Sequence, residues 1–378
     1  MSLNTTLRRL SILVLTALVA CSPVGGQRYT RKLAQKSLAK LEQPGVVVGE
    51  FHITKIVDGD TVRVDGLDSS LRLLGDDTEE TFKNEADRRA MESSWEDYKK
   101  AKRPGLRPGK YATPMGEQAK LFAKHFFEGV DKVRIERDHP AEIRDAYNRY
   151  LAYVIALKNG KWINYNVEVV RAGMSPYFSK YGYSRRYHKE FLAALDEAKA
   201  AHRGIWAPGA PGYPDYPERE AWWNARGDFI DQFHKEAEGN PSFIDITHWD
   251  ALQQIEASVG KEVTILGVVG DVRIGEKGPT RVSLTRRMFA GFPLIFFDRD
   301  VLGTSGIAEW KGEPVRVTGI PTLYENKHTH KKEVQLVIDR ASQITLSPVP
   351  GLTVPSAAPP APVPTAPSAA PHAESPGK

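Results

Sequence analysis

The sequence predicts a mainly β fold of the α+β class, made of two small β-barrels in series. Short strand-like runs of apolar residues, bounded by turn residues, recur over residues 46–207 and again over residues 247–346. The first region also contains three segments whose apolar residues recur every three or four positions, as in amphipathic helices. Four prolines open the connecting segment, residues 208–246. We therefore expect a barrel packed with three helices, a linker with a helix, and a second, smaller barrel.

The stretch from Ile53 to Glu80 organises the first barrel. Its apolar residues predict two strands, which an Asp-Gly turn at residues 65–66 joins so that both pack one face on a core. Four charged residues are set into this frame: Asp60, Arg72, Asp77 and Glu80. Because neighbouring strands lie about 5 Å apart, they can bring these side chains to one rim. Oxygen ligands hold Ca²⁺ and a guanidinium binds phosphate oxygens in pairs, so the set suits a hard cation beside a phosphodiester.

A second motif, far along the chain, complements this pattern. Taken alone, the Asp-Gly-Asp sequence at residues 58–60 is typical of a surface turn. Residues 145–153 add the spacing Asp-x-Tyr-x-Arg-x-Leu-Ala-Tyr to Arg-Leu-Leu at 72–74 and Asp-Thr-x-Glu at 77–80. Together these motifs resemble the staphylococcal nuclease (thermonuclease) family over about residues 50–207. The resemblance implies an oligonucleotide-binding (OB) barrel with helices against it, and hydrolysis of DNA or RNA as the activity.

The resemblance also implies a metal site. It makes Asp60 and Asp77 carboxylate ligands of a Ca²⁺ cofactor, and the backbone carbonyl of Thr78 a further ligand. Nucleases of this family cut by in-line attack of water on the Ca²⁺-bound phosphodiester, with nucleic acid as the partner.

Four more side chains receive roles from the resemblance. Arg72 and Arg149 would grip the phosphate and stabilise the extra charge of the five-coordinate transition state. Glu80 would activate or orient the attacking water, with the character of a general base. Tyr147 would bind substrate near the neighbouring phosphate.

The chain departs from the family pattern at three positions. Asp76 replaces an apolar residue, Glu79 replaces a proline, and Asn148 replaces a glycine. The two added carboxylates can strengthen cation binding or repel a polyanion. Two hypotheses therefore stay open: a Ca²⁺-dependent endonuclease acting on DNA, RNA or both, and a nucleic-acid-binding lipoprotein with weak turnover. Retention of all the acids and arginines of the motif favours the nuclease.

A basic insertion interrupts the family pattern over about residues 81–113. Its basic half contains Lys99, Lys100, Lys102, Arg103, Arg107 and Lys110. A solvated surface loop and a phosphate-contacting arm beside the active site are both consistent with this composition. Trp95 and Tyr98 are suited either to stacking on bases or to pinning the insertion to the domain.

Helical spacing resumes after the insertion. The three predicted helices lie near residues 116–126, 163–173 and 187–202, and Asn-Gly at residues 159–160 is a strong hairpin signal. Residues expected to face inward on the third helix, or to cap the barrel after it, are Phe191, Leu192, Leu195, Ala198 and Trp206.

The N-terminus has the features of an export signal. Arg8 and Arg9 precede an apolar run that is too short to span a bilayer as a stable helix. Cys21 follows at the position of a bacterial lipobox cysteine, and it is the one cysteine of the chain. We therefore expect a signal peptide over residues 1–20, a lipid anchor on Cys21 in the outer membrane or facing the periplasm, and a tether over residues 21–45. Secretion after an ordinary signal cleavage is the alternative.

The second predicted barrel has five strands and a helical gap near residues 306–310. A packing barrel and a binding barrel are both consistent with this pattern. A binding groove would use Arg286, Arg287, Phe289, Phe292, Tyr324, Lys327, Lys331 and Lys332. His328 and His330 lack a third ligand and predict a solvated turn rather than a metal site. Residues 347–378, rich in proline and alanine, predict a disordered tail.

Composition is that of an ordinary globular protein, with 41% hydrophobic and 26% charged residues. The formal net charge is +5, of which Arg8 and Arg9 supply two in the segment predicted to be removed. Such a weakly basic balance is compatible with nucleic acid without requiring it. Nothing in the sequence indicates a protein partner.

Overall fold

The structure is a computed structural model that describes residues 45–102, 108–276, 278–287, 290–325, 330 and 332–351. The predicted signal peptide, Cys21 and almost all of the tether and tail lie outside these residues. Within them, eight α-helices and two β-sheets form a mixed structure, which confirms the predicted α+β class. None of the helices in the described part of the chain is long and apolar enough to cross a membrane.

The first sheet has seven strands. They are β1 Val47–Phe51, β2 Ile53–Ile56, β3 Thr61–Val64, β4 Leu71–Leu73, β5 Val133–Glu136, β6 Tyr150–Lys158 and β7 Lys161–Asn164. Their order is β1-β5-β6-β4-β3-β2, with β7 paired to β6. β1 and β2 lie at opposite edges of this order, although only His52 separates them in the chain. The sheet therefore curls round on itself, so that one bent segment supplies both edges.

The centre of this sheet brings the two sequence motifs together. β3 and β4 pair antiparallel with Thr61 opposite Arg72, which places Asp60 beside the same strand. β4 and β6 pair parallel with Leu71 opposite Tyr150, so the loop that ends at Arg149 reaches the same region. Val62, fully buried, is one of the apolar residues that hold these strands on the core.

Five helices accompany the first sheet. They are α1 Glu85–Ser93, α2 Trp95–Lys102, α3 Pro114–Phe127, α4 Tyr165–Arg171 and α5 His188–Ala200. α3, α4 and α5 are the three predicted helices. The hairpin prediction is also confirmed, because Asn159 and Gly160 both have positive φ and join the paired residues Lys158 and Lys161.

One face of α5 differs from the prediction. Phe191, Ala194 and Ala198 are buried, and Leu195 packs against the core from a partly buried position. Leu192 is 41% exposed, so its expected inward orientation is wrong. The reason is helical geometry, since a residue directly after Phe191 is turned by about 100° away from the buried stripe.

The insertion contains two helices, α1 and α2, between shorter non-helical stretches at residues 81–84 and 108–113. Tyr98 in α2 is buried and donates a hydrogen bond to the backbone oxygen of Ala112 at 3.0 Å. Its ring lies 6.0 Å from that of Trp95 and 5.9 Å from that of Tyr111. These contacts favour the pinning role, because a buried ring cannot stack on a base.

The predicted linker packs onto the first domain instead of spanning a gap. α6, Tyr216–Ala237, begins six residues before the expected Trp222. Trp206 belongs to an apolar cluster with Tyr213 and Tyr216, and its ring lies 5.2 Å from that of Tyr216. Trp206 therefore contacts α6, and the expectation that it also caps the barrel stays a prediction.

Glu79 joins this segment to the turn that carries the predicted site. Its side chain is buried and accepts hydrogen bonds from the backbone N–H of Tyr213 at 2.9 Å and the hydroxyl of Tyr216 at 2.8 Å. The hydroxyl of Thr113 donates a further bond to the same carboxylate. Burial raises the pKa of Glu79 despite these donors. The residue that replaces the family's proline therefore has a structural role here.

The second sheet has eight strands. They are β8 Phe243–Asp245, β9 Val263–Arg273, β10 Thr280–Arg287, β11 Ala290–Phe296, β12 Pro314–Gly319, β13 Pro321–Glu325, β14 Lys332–Val337 and β15 Ile344–Leu346. Their order is β13-β14-β11-β10-β9-β12-β15, with β8 on β9. Two helices, α7 Ala251–Ala257 and α8 Arg299–Ser305, accompany it, and a 3₁₀ helix at Ile307–Trp310 occupies the predicted helical gap.

All five predicted strands of this sheet are present, as β9, β10, β11, β12 and β14. β8, β13 and β15 are additional, and two of them are only three residues long. That the sheet forms an OB-like barrel stays a prediction.

The structure contradicts part of the binding groove that the sequence predicted on this sheet. Phe292 is buried in the core and cannot stack on a base. Tyr324 is 45% exposed on β13, and Lys332 is exposed at the start of β14. Phe289, Lys327, His328 and Lys331 lie outside the described residues, and nothing is described for the side chains of Arg286 and Arg287.

We expect Glu79→Ala to lower the free energy of unfolding by about 2–4 kcal/mol, because three buried donors lose one acceptor together. Tyr216→Phe is the matched control. It keeps the ring and removes one hydrogen bond, so it should lower stability by only about 1 kcal/mol. Urea unfolding measures both values, and equal losses in the two variants would contradict the role given to Glu79.

Candidate active site

Arg72 holds the centre of the site. Its Nη1 donates to Oδ2 of Asp60, and its Nη2 donates to Oδ1 of Asp77. Nη2 also lies 3.3 Å from the backbone oxygen of Asp76. All three side chains of this bridge are buried, so the guanidinium fixes the two predicted metal-binding carboxylates relative to each other.

Two tight turns bring these carboxylates together. The turn before β3 carries Asp60 and the turn after β4 carries Asp77, whose backbone N–H donates to the hydroxyl of Ser175 at 2.8 Å. A Cβ added to Gly59 would lie 2.6 Å from the methyl group of Thr78. The turns touch so closely that only glycine fits at this position. Thr78, the third predicted ligand, is therefore buried against the turn that holds Asp60.

The charge of Asp60 is stabilised by cations. Burial raises the pKa of its carboxyl, but Arg72 and Lys110 outweigh that effect and hold the pKa well below its usual range. Its Oδ1 also accepts a hydrogen bond from the hydroxyl of Thr61 at 2.8 Å. Asp60 is accordingly an ionised oxygen donor in the folded protein.

Two more carboxylates lie in the same cluster. Asp76 is fully buried, and neither of its oxygens has a hydrogen-bond partner among the described residues. Burial, followed by repulsion from Asp60, raises its pKa well above the usual range. Burial and Asp60 likewise raise the pKa of Asp58 to about 7. Four acids thus share a space that contains the cations of Arg72 and Lys110.

Lys110 is the site residue that sequence reasoning did not single out. It comes from the end of the insertion, and its Nζ lies 2.5 Å from Oδ1 of Asp77. Burial lowers the pKa of Lys110, but the neighbouring carboxylate of Asp77 outweighs this and raises it. The sequence marks it only as one of several basic residues. The insertion therefore supplies a cation to the site, while its aromatic residues anchor it.

Glu80 lies at the open side of the cluster. Its side chain is 31% exposed, and its Oε2 forms an ion pair with Nζ of Lys83 at 2.7 Å. Its backbone bridges to Ala112, and a Cβ on Gly116 would lie 2.1 Å from the backbone oxygen of Glu80. The N-terminus of α3 thus packs directly on this backbone and fixes where the side chain of Glu80 begins.

Arg149 and Tyr147 lie on the neighbouring loop. The Nε and Nη2 of Arg149 contact Oδ2 of Asp145 at 2.8 and 2.7 Å, and its guanidinium lies 5.7 Å from the ring of Tyr147. None of the contacts found among the described residues joins Arg149 to Asp60, Arg72 or Asp77. The structure therefore gathers five predicted residues in one region and pairs the second arginine with Asp145 on the neighbouring loop.

Asn148, which replaces a glycine of the family pattern, has a backbone conformation that glycine favours. Its φ is +68°, in the left-handed region. Asparagine adopts this conformation more readily than most residues. Asparagine is therefore compatible with the turn before Arg149, in which the N–H of Asn148 donates to the oxygen of Asp145 at 3.0 Å.

The donor set fits a hard divalent cation. Asp60 and Asp77 are carboxylates, which Ca²⁺ prefers as oxygen ligands. Unpartnered oxygens surround them, namely those of Asp76, Oδ1 of Asp58 and Oγ1 of Thr78. A divalent ion would balance the surplus of negative charge that these groups create.

We expect Asp76→Val to raise the free energy of unfolding at pH 7 by about 1–3 kcal/mol in Ca²⁺-free buffer, since it removes a buried polar group without a partner. The raised pKa means that the folded state binds the proton more tightly than the unfolded state. The penalty of Asp76 therefore grows as pH rises above the usual aspartate pKa and fades towards pH 4. Urea unfolding at pH 4 and 7 tests this. Asp76→Asn keeps a buried polar group and should gain less, and a loss of stability in Asp76→Val would contradict the prediction.

Comparison with known proteins bears on the same region. The family model described as staphylococcal nuclease homologue matches residues 70–208. An uncharacterized protein of Methanocaldococcus jannaschii is 35% identical over 162 residues, which cover 41% of this chain and 70% of that protein. The thermonucleases of Staphylococcus hyicus and Staphylococcus intermedius are 27% and 29% identical, over 42% of this chain and 75% and 78% of their own lengths. Through this domain, the chain belongs to the staphylococcal nuclease homologue family.

Proposed function

We propose that the chain is a Ca²⁺-dependent endonuclease that hydrolyses the phosphodiesters of DNA, RNA or both. The observation that carries the proposal is the buried bridge in which Arg72 holds Asp60 and Asp77 side by side. A purely structural role does not explain this bridge well, because burying two carboxylates and a guanidinium is costly in free energy. Membership of a family that includes thermonucleases supports the same assignment.

In this proposal Asp60, Asp77 and the carbonyl of Thr78 hold the cation. The ion supplies Lewis-acid polarisation of the phosphate. Arg72 is already oriented by its two carboxylates, so little reorganisation is needed before it donates to a phosphate oxygen.

Glu80 is placed to act on water. Its side chain is partly exposed, so solvent reaches it, and Lys83 holds one of its oxygens. Glu80 accepts a proton from the attacking water as the water oxygen bonds to phosphorus. The P–O5′ bond breaks on the opposite side, and the leaving O5′ takes a proton from solvent. Arg149 joins the site by exchanging Asp145 for a phosphate oxygen, a shift within reach of a side chain that is 30% exposed.

A nucleic-acid-binding protein with weak turnover is the second candidate. The ion pair between Arg149 and Asp145 favours it, because that pair must break before Arg149 can bind a phosphate. The surplus carboxylates Asp58 and Asp76 favour it as well, since they repel a polyanion when ionised.

We also propose attachment to a bacterial membrane through a lipidated Cys21. The support is the basic and apolar pattern that precedes this cysteine. Two acyl chains give a durable anchor where one does not.

We expect Glu80→Gln and Arg149→Ala each to lower kcat by about 10²–10³-fold, as removal of a preorganised group from an active site does. The measurement is cleavage of plasmid DNA and of RNA by the purified protein, with Ca²⁺ or with EGTA. Arg63→Ala is the matched control, because Arg63 is exposed on β3 and its removal changes the net charge by the same amount as Arg149→Ala.

Cleavage that persists in EGTA, or that survives both substitutions, would rule out the assigned site. Retention of DNA without cleavage would establish the second candidate instead.

We expect Lys110→Met to tighten Ca²⁺ binding by about tenfold. Its ammonium contacts Asp77, so an arriving cation meets like charge at the carboxylate that should bind it. The effect is limited to about this size because the lysine side chain is 43% exposed and partly screened by solvent. Calorimetric titration with Ca²⁺ gives the affinity.

Lys100→Met provides the control for this experiment, since Lys100 lies in the same insertion and is 78% exposed. Equal Ca²⁺ affinity in both variants would show that Lys110 does not oppose the cation.

A further inference from the structure

A second cluster of ligating side chains lies outside the candidate active site, where the first domain meets the segment that leads to the second sheet. His139 and Glu142 belong to the loop between β5 and β6, His234 to the last turn of α6, and Asp245 and His248 to the end of β8 and the turn after it. Ligand atoms of His139, Glu142 and His248 all lie within 4.8 Å of one another. The same holds for Glu142, His234 and Asp245, so Glu142 is common to both groups.

One nitrogen of this cluster is buried without a hydrogen bond. Nε2 of His248 has no hydrogen-bond partner among the described residues, and it lies 3.7 Å from Oε1 of Glu142. The rings of His139 and His248 stack at 4.7 Å with an interplanar angle of 14°. A buried polar atom aimed at a carboxylate, beside a second imidazole, is an arrangement that a shared ion would satisfy.

Backbone hydrogen bonds hold the two loops in place. The N–H of Trp249 donates to the oxygen of Ala141 at 3.0 Å, which fixes the His248 loop against the His139 loop. The N–H of Glu142 donates to the oxygen of His139 at 3.1 Å, and that of His248 to the oxygen of Asp245 at 3.1 Å. The ligand positions are therefore set by backbone turns rather than by long flexible side chains.

Arg185 is the cation that now faces the cluster. Its Nη2 lies 3.0 Å from Oε1 of Glu142 and 3.2 Å from Nε2 of His234. This ion pair explains the position of Glu142, but Nε2 of His248 still makes no hydrogen bond among the described residues and has only the 3.7 Å contact with Glu142. Arg185 is 32% exposed and borders a cavity of about 470 Å³ that His139 also lines, so the guanidinium has room to withdraw.

We propose that His139, Glu142 and His248 bind a divalent first-row transition-metal ion, for which Zn²⁺ is the test ion. Imidazole nitrogens with one carboxylate are a donor set that suits such ions, whereas Ca²⁺ prefers oxygen ligands throughout. The hydrogen-bonded pair of His234 and Asp245, 2.9 Å apart, flanks the site. The site is distinct from the cluster around Arg72 and selects a different class of ion.

The bound ion would join two parts of the chain. His139 and Glu142 follow a strand of the first sheet, and His248 follows the first strand of the second sheet. An ion held from both sides stabilises the folded protein by mass action, since the unfolded chain does not present the three ligands together. Its role is that of a cross-link between the two domains.

The test is Zn²⁺ binding by the metal-stripped full chain. We expect one Zn²⁺ per chain by elemental analysis, a rise in melting temperature on adding Zn²⁺, and no displacement by excess Ca²⁺. His248→Ala and Glu142→Gln should each weaken Zn²⁺ binding by at least about tenfold. Loss of a residue that only supports a ligand already weakens metal binding by about that factor, and these two residues are ligands themselves. Two exposed histidines supply the controls, His125→Ala on α3 and His330→Ala in the hairpin after β13, and neither should change the affinity.

The visible absorption of Co²⁺ bound to the unsubstituted chain is a second measurement, and it does not depend on whether the variants fold. Nitrogen and carboxylate ligands at low coordination number give a strong visible band, whereas an all-oxygen octahedral site gives a weak one. Absence of retained Zn²⁺, release of Zn²⁺ by Ca²⁺, a weak Co²⁺ band, or unchanged affinity in folded His248→Ala and Glu142→Gln would each overturn the proposal. None of these results depends on nuclease activity.

Discussion

The guanidinium of Arg72 fixes the relative positions of the two turns that carry Asp60 and Asp77. Arg72 reaches Asp60 in the turn before β3 and Asp77 in the turn after β4, and all three side chains are buried. Such a triad is poor evidence of stability by itself, because desolvation of the charges offsets most of their attraction. Its effect is positional, since it fixes the two carboxylates relative to each other. The register of β3 and β4, with Thr61 opposite Arg72, makes that position possible.

The charge of the cluster bears on the proposed binding of a cation. Arg72 and Lys110 neutralise Asp60 and Asp77, but Asp58 and Asp76 remain, with pKa values raised first by burial and then by the charge of Asp60. Without a further cation, these two acids are favoured in their protonated forms. A divalent ion would favour their ionised forms instead. If the proposed ion binds, the additional acids would couple its binding to proton release, which a site with only Asp60 and Asp77 would show more weakly.

Prediction from the sequence succeeded where the signal was local. Asp60, Arg72 and Asp77 lie within 18 positions of one another, so strand alternation and turn residues are enough to bring them together. The sequence did not single out Lys110 as a site residue, because nothing distinguishes it from the other basic residues of the insertion. The histidine cluster was invisible for a similar reason, since its members span residues 139–248 and share no recognisable spacing. Contacts of that kind are set by how domains pack, which sequence periodicity does not report.

One departure from the family pattern, Glu79, links its turn to other parts of the structure. Glu79, in place of a proline, binds Thr113 next to the insertion and Tyr213 and Tyr216 beyond the domain. The same insertion places Lys110 on Asp77. The turn that aims Glu80 is therefore held by side-chain hydrogen bonds instead of a rigid ring. Because two of those bonds come from the segment that leads to the second sheet, the turn that carries Glu80 is coupled to that segment. A change in how α6 packs would therefore reach Glu80 through the buried carboxylate of Glu79.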